Sequence, residues 1–252
     1  MRGAPALGAA LSIASIAFAA PPASGADLET YYARYGLSGG RSDWTDTGLL
    51  LDARLPSRFA WSGYLRETER FDLRDSEAGG SLYAPFGTGW AASLEATTSS
   101  THRVLARHSL TAALEKQLGH GWIVRGGLRR SEYEAGRADL RLLTVERYFG
   151  NERVAYTFYS GQVGDGGGVP SHRLDWSHYL GERGEIGISG ARGREAENVA
   201  PGGLLVVEVR SLALTARYWV SPRWRFGLVA ETVEERTLYR RHGIRAELRY
   251  RF

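Results

Sequence analysis

Gly243-Ile244-Arg245-Ala246-Glu247-Leu248-Arg249-Tyr250-Arg251-Phe252 closes the chain, and in it apolar and charged residues take strict turns. Side chains of an extended strand point alternately to its two faces. Ile244, Ala246, Leu248, Tyr250 and Phe252 therefore share one face, and Arg245, Glu247, Arg249 and Arg251 share the other. A strand written this way lies between an apolar medium and a polar one. The preceding segment repeats the pattern, with Trp224, Phe226, Leu228 and Ala230 opposite Arg223, Arg225 and Glu231.

Working back from the end, the same period of two recurs. Leu174, Trp176 and Leu180 alternate with Arg173, Asp175 and Ser177; Trp122, Val124 and Leu128 alternate with Arg125 and Arg129. Leu110, Ala112 and Leu114 alternate with Thr111, Ala113 and Glu115, and Trp90, Ala92, Leu94 and Ala96 with Ser93, Glu95 and Thr97. Tight turns such as Pro85-Phe86-Gly87-Thr88-Gly89, Leu118-Gly119-His120-Gly121 and Phe149-Gly150-Asn151-Glu152 alternate with longer polar stretches near 38–44, 67–73, 98–106, 132–138, 161–171, 194–205 and 234–241. The spacing predicts an antiparallel, up-and-down transmembrane β-barrel of about 14 strands, 12 or 16 being the alternatives, each of roughly 9–12 residues. Both chain ends then fall on the tight-turn side, which the pattern places in the periplasm.

A water-soluble sandwich also alternates, because one face of each sheet meets water. Two features favour the membrane. Trp44, Trp61, Trp90, Trp122, Tyr148, Phe149, Tyr179, Trp219 and Trp224 stand at strand ends, where barrels carry aromatic girdles. The apolar faces are also rich in Ala, Gly and Leu, as lipid contact permits.

Residues 1–26 read as a cleaved signal peptide. Arg2 supplies the positive start, Leu7 to Phe18 the apolar core, and Ser24-Gly25-Ala26 a cleavage site, with Ala17-Phe18-Ala19 as the alternative. The core is too short to span a bilayer and runs into Pro21-Pro22. The barrel domain is expected over residues 27–252, in a Gram-negative outer membrane.

Composition removes most chemistry. The chain has 252 residues and no cysteine, which excludes thiol nucleophiles, disulfides and cysteine-ligated metals. Thirty-two basic against 28 acidic residues give a net charge of +4, too balanced for a nucleic-acid binder. Lys116 is the only lysine. None of the six histidines has metal-ligand spacing; His172 and His178 share a strand face but stand too far apart for one ion. Ser171-His172 and Ser177-His178 point to opposite faces within each pair and cannot form a nucleophile–base bond. No G-x-S-x-G elbow occurs, and Asp165-Gly166-Gly167-Gly168 lacks both the Lys-Ser/Thr of a P-loop and the carboxylate series of a calcium loop. No enzyme activity, cofactor or metal is expected.

Several stretches resemble the YaiO family of outer-membrane β-barrels. They are Leu118-Gly119-His120-Gly121-Trp122, Leu142 to Gly150, Ser171-His172-Arg173-Leu174 through Tyr179-Leu180-Gly181, Arg217-Tyr218-Trp219 through Pro222-Arg223-Trp224, and Leu248-Arg249-Tyr250-Arg251-Phe252. The resemblance runs over the whole mature chain and is strongest from about residue 105 onward. It implies an outer-membrane barrel of a kind discussed beside polysaccharide biosynthesis, and it carries over no catalytic residues. The helical-repeat region that some relatives place before the barrel has no room here.

The polar faces are the remaining candidates. Arg125, Arg153, Arg173, Asp175, Arg217, Arg223, Arg225, Glu231, Arg245, Glu247, Arg249 and Arg251 are expected to line the lumen. So are Arg54, Arg58, Asp52, Glu95, Glu115, Glu146 and Glu185. The arginines of the last two strands outnumber Glu231 and Glu247, so that part of the wall is expected to be net positive. Leu248, Tyr250 and Phe252 fit the terminal signal read by the barrel-assembly machinery. Two functions remain open: a pore or export channel with a charged lumen, its candidate cargo a saccharide or small solute, or a non-conducting structural barrel acting through its loops. Outer-membrane lipid is a partner of either.

Overall fold

The computed structural model describes residues 25–134, 136–163, 168–199, 203–235 and 238–252, with no account of side chains at 195–199 and 203–205. Residues 1–24 of the expected signal segment and most of Asp165-Gly166-Gly167-Gly168 lie outside the described residues, whereas Gly25 and Ala26 open the first strand. Fourteen strands follow one another: β1 Gly25–Leu37, β2 Trp44–Arg54, β3 Ala60–Arg70, β4 Leu73–Phe86, β5 Trp90–Ser99, β6 His108–Gly119, β7 Trp122–Tyr133, β8 Gly136–Phe149, β9 Glu152–Val163, β10 Val169–Tyr179, β11 Gly184–Val199, β12 Gly203–Trp219, β13 Trp224–Glu235 and β14 Tyr239–Arg251. Each pairs antiparallel with its sequence neighbours, and β1 pairs with β14 to close the barrel. Closure leaves no free edge, so no ladder group is stranded in lipid.

The alternation decides which face is which. Leu65, Leu82, Leu94, Leu128, Leu174, Leu214, Leu228 and Ile244 are exposed, all on the outward parity of their strands. Burial is inverted relative to a soluble protein because lipid replaces the core. The outward apolar run ends toward the long-loop end at Thr47, Glu67, Ser76, His108, Arg130, Arg192, Arg210 and His242, which mark the edge of the hydrocarbon zone.

Most of the longer polar stretches are not loops. β3 and β4 are joined by Phe71 and Asp72 alone, and β11 and β12 run on to Val199 and from Gly203. Beyond the bilayer both faces of a hairpin meet water, so polarity stops alternating while the ladder continues. Among the described residues the substantial irregular loops are 38–43 and 100–107.

The expected aromatic girdle holds only in part. Trp61, Trp90, Trp122, Phe149 and Trp224 are exposed on the outside. Trp44, Tyr148, Tyr179 and Trp219 have inward parity, pairing directly with Tyr35, Arg153, Glu185 and Arg225. Position at a strand end does not distinguish the two faces; register does. At the turn end, Gly121 has φ +78° and a Cβ there would lie 2.1 Å from the Tyr148 carbonyl oxygen, so only glycine fits.

Candidate functional site: the barrel interior

The interior of the turn-end half is a belt of paired charges. Arg217 donates to Glu185 at 2.8 Å and to Glu247 at 2.8 Å. Arg245 also lies 3.2 Å from Glu247. Arg225 and Arg249 converge on Glu29 at 2.8 and 2.7 Å; Arg249 further reaches Asp52 at 2.9 Å and Asp27 at 3.5 Å. Arg251 holds Asp27 at 3.0 Å. A contact from β13 to β1 passes over β14, which is possible only through the interior.

On the facing wall Arg125 binds Glu115 at 2.5 Å, Arg153 binds Glu146 at 2.5 Å, and Arg173 binds Asp175 through both carboxylate oxygens at 2.9 and 3.0 Å. Glu231 belongs elsewhere, bound to Arg241 at 3.1 Å near the loop end. Glu95 has inward parity on β5, while Asp52 and Glu185 stand in the belt. Arg54 is half-buried at the end of β2.

Two expected wall residues are not on the wall. Arg58 sits exposed in the β2–β3 turn with φ +66°, and Arg223 sits exposed in the β12–β13 turn. The Arg223 carbonyl accepts the Arg251 N–H at 2.8 Å, so its backbone extends the last ladder while its side chain leaves it. The expected excess of positive charge on β13 and β14 also does not hold. Five arginines (217, 225, 245, 249, 251) meet five carboxylates (27, 29, 52, 185, 247). Closure sets β1 beside β14 and supplies Asp27 and Glu29. Pairing the first strand with the last, as an even-stranded barrel requires, is the sequence signal that exposes this.

Tyrosines line the wall nearer the loop end. Tyr31, Tyr35 and Tyr64 are direct partners of Gly48, Gly243 and Gly79. A Cβ at those glycines would stand 2.3, 1.9 and 2.5 Å from the tyrosine rings. Each ring therefore lies down over a bare patch of backbone. Arg245 covers Tyr31 at 3.7 Å, and Tyr64 donates to Glu77, which Arg66 also binds at 2.8 Å.

The loop end carries a different device, absent from the sequence reading. Loop 100–107 turns into the mouth, where Val104 and Leu105 pack with Trp44, Phe71 and Tyr239. Their partners sit on β14, β1, β2 and the β3–β4 turn, so the loop between β5 and β6 reaches over the neighbouring strands. Trp44 is 1% exposed, edge-on to Phe71 at 5.1 Å and to Tyr239 at 5.4 Å, with Arg70 and Arg241 over its ring. Asp75 fastens the loop, accepting the N–H of Val104 at 2.6 Å and of Leu105 at 2.9 Å. Its neighbours Arg74 and Ser76 face outward and polar, so Asp75 stands beyond the hydrocarbon zone. Burial works to raise its pKa, but hydrogen bonds from the N–H groups of Val104, Leu105 and Arg103 and from the Thr101 hydroxyl together outweigh it and hold it below the ordinary value.

At the terminus, Tyr250 packs on Trp224 at 4.8 Å and Phe252 lies edge-on to Tyr250 at 5.1 Å, while Leu248 is Phe226's direct partner. The Phe252 N–H donates to the Ala26 carbonyl at 3.0 Å.

The YaiO membrane β-barrel domain model matches residues 26–198. The chain belongs to that family. No curated protein matches it. Solved structures share the fold at low identity. A bacterial polysaccharide outer membrane secretin has a TM-score of 0.57 at 10% identity, covering 90% of this chain and 98% of its own. Omp33 of Acinetobacter baumannii gives 0.55 at 12%, covering 90% and 99%. The KdgM porin gives 0.51 at 10%, covering 89% and 99%. This YaiO-family chain is thus an outer-membrane β-barrel of porin-like fold.

Proposed function

We propose that the barrel is a channel for a saccharide or similarly hydroxylated solute. The observation that carries this reading is the inner wall itself: tyrosine rings seated flat on glycines, interleaved with arginine–carboxylate pairs whose charges nearly cancel. Hydroxyl groups can exchange hydrogen bonds with such pairs without a net field trapping the solute, and sugar faces can slide along the rings. The fold-mate described as a polysaccharide secretin agrees with this reading without carrying it.

A second reading rests on the mouth. The Trp44 cluster and the Asp75-held loop cover the side of the opening bounded by β14 and β1–β4, as a non-conducting structural barrel would require. Single-channel recording of the refolded mature protein in planar bilayers separates the two. A channel gives ohmic current that a neutral oligosaccharide blocks in a concentration-dependent way. Silence in the protein and in a variant lacking residues 100–107 leaves the structural barrel.

Export by a signal peptide over residues 1–26 and use of Leu248, Tyr250 and Phe252 as the assembly signal belong to the same proposal. The mass of the mature chain decides between cleavage after Ala26 and after Ala19. Deleting Phe252 should lower heat-modifiable barrel in the outer membrane while periplasmic export continues; an undiminished barrel removes the terminal signal.

A further inference from the structure

On the lipid-facing side of β10, β11 and β12 the apolar band ends in a row of bases. His172, Arg192 and Arg210 are direct cross-strand partners and all are exposed. Arg194 continues the row upward on β11, where its direct partner on β12 is Glu208. One step toward the membrane lie Leu174, Gly190 and Leu212, again direct partners.

Like charges directly opposite one another in a ladder repel, so the Arg192–Arg210 pair works against folding unless something answers it. Elsewhere on this rim the answer is a carboxylate. Arg34 has Asp43 at 2.7 Å, Arg74 has Glu67 and Glu69 at 3.6 Å, and Arg130 and Arg137 share Asp139 at 2.8 and 3.2 Å. Opposite Arg210 stands Glu234, but Arg240 holds it at 3.3 Å. Among the described residues no ion pair is made by Arg192 or Arg210.

The band below them is notched. Leu174 and Leu212 project into lipid, 56% and 46% exposed, and Gly190 between them has no side chain. A Cβ at Gly190 would meet only the Ser211 carbonyl oxygen, at 3.8 Å, so packing does not demand glycine there. Two guanidinium forks at the edge of the hydrocarbon zone, above a slot between two leucines, match a ligand with an anionic head and an acyl chain.

We propose that this strip docks a phosphorylated, multiply acylated glycolipid of the outer leaflet. One phosphate bridges Arg192 and Arg210, and one acyl chain lies over Gly190 between Leu174 and Leu212. The His172 ring, fixed through Nδ1 by the Tyr156 hydroxyl at 2.6 Å, flanks the head group.

The test is native mass spectrometry of the refolded barrel titrated with bis-phosphorylated lipid A in detergent, beside the same lipid stripped of its phosphates. Folding of every variant is verified by heat-modifiable migration. The parent protein should retain lipid A, and Arg192→Gln/Arg210→Gln should weaken retention by about tenfold or more, the loss expected for charge-assisted hydrogen bonds. Gly190→Leu, which fills the slot and leaves the arginines, should weaken it by a smaller factor. Arg34→Gln, on an arginine already answered by Asp43, should change nothing. Equal retention of the dephosphorylated lipid, or an undiminished complex in the double variant, overturns the proposal. Displacement of lipid A by millimolar inorganic phosphate would overturn it too, since the strip would then be an anion site and not a lipid site.

Discussion

The two ends of the barrel interior are held by opposite chemistry. At the turn end every strand from β12 round to β2 contributes to ion pairs, and the belt reaches across strands that are not neighbours, as Arg225 does to Glu29. At the loop end the barrel mouth is gathered by Trp44, Phe71, Val104, Leu105 and Tyr239, with Val207, Val209 and Val233 as a smaller cluster, ordinary apolar cores in a protein whose apolar surface mostly faces lipid. The difference teaches where each device can work. Ion pairs brace a wall and leave a polar path between them, whereas an apolar cluster excludes water and closes what it fills. A belt suits passage, and a cap suits control of passage.

The largest expected effect tests the cap. Trp44→Ala removes its central ring, and buried Trp→Ala changes cost about 3–5 kcal/mol. Chemical unfolding should show that loss, and any single-channel current should rise. If stability and current both match the parent, the cluster is not a cap.

Next comes the wall that carries the belt. Leu228→Arg places a charge on the lipid face of β13, where arginine near the midplane costs roughly 2–4 kcal/mol. Arg225→Leu, on the inner face of the same strand, should be milder because Arg249 still answers Glu29. Equal yields of both variants on refolding into liposomes would contradict the face assignment.

A smaller effect concerns the fastening of the loop. Asp75→Asn keeps the shape but loses the charge that two N–H groups address, a change of about 1–3 kcal/mol. Trypsin should then cut faster at Arg103 and Arg107. The carboxyl pKa is lower in the folded protein, so its contribution is present above the ordinary value of 3.8 and is lost as pH falls through the folded value. Trp44 emission, taken as the difference from a Trp44→Phe variant, should shift to the red in that acid range and not above it.

The smallest effect separates belt from bare arginine lining. With five arginines answered by five carboxylates, any current through the parent barrel should discriminate weakly between ions. Arg225→Glu/Arg249→Glu should move the reversal potential toward cations, and the shift should shrink near 1 M salt, where the Debye length falls to about 3 Å. Strong anion selectivity in the parent would mean that the carboxylates do not neutralise the arginines.

Much of this was legible without coordinates. Ile244 to Phe252 and Trp224 to Ala230 state their own faces, because period two maps directly onto two sides of a wall. Strand number followed from the turns, and the inward side of Arg217, Arg245 and Glu247 from parity. A different cue misled at Trp44, Tyr148, Tyr179 and Trp219, where position at a strand end suggested a girdle and register set the rings inside.

By itself the sequence determined the class of solvent on each face, and with it a closed membrane barrel, since alternating hydrophobicity is a local property of each strand. Only the tertiary structure decided which charges meet. Asp27 and Glu29 lie more than two hundred residues from Arg249 and Arg251 in the chain, and no local pattern ties them. Closure of β1 on β14 does. Loop 100–107 is polar as text apart from Val104-Leu105-Ala106, and those residues become part of a core because the curved wall brings β14, β1 and β2 within their reach. Pairing energies depend on distance in space, and in a barrel that distance is set by the circuit of strands, a global quantity no single segment encodes.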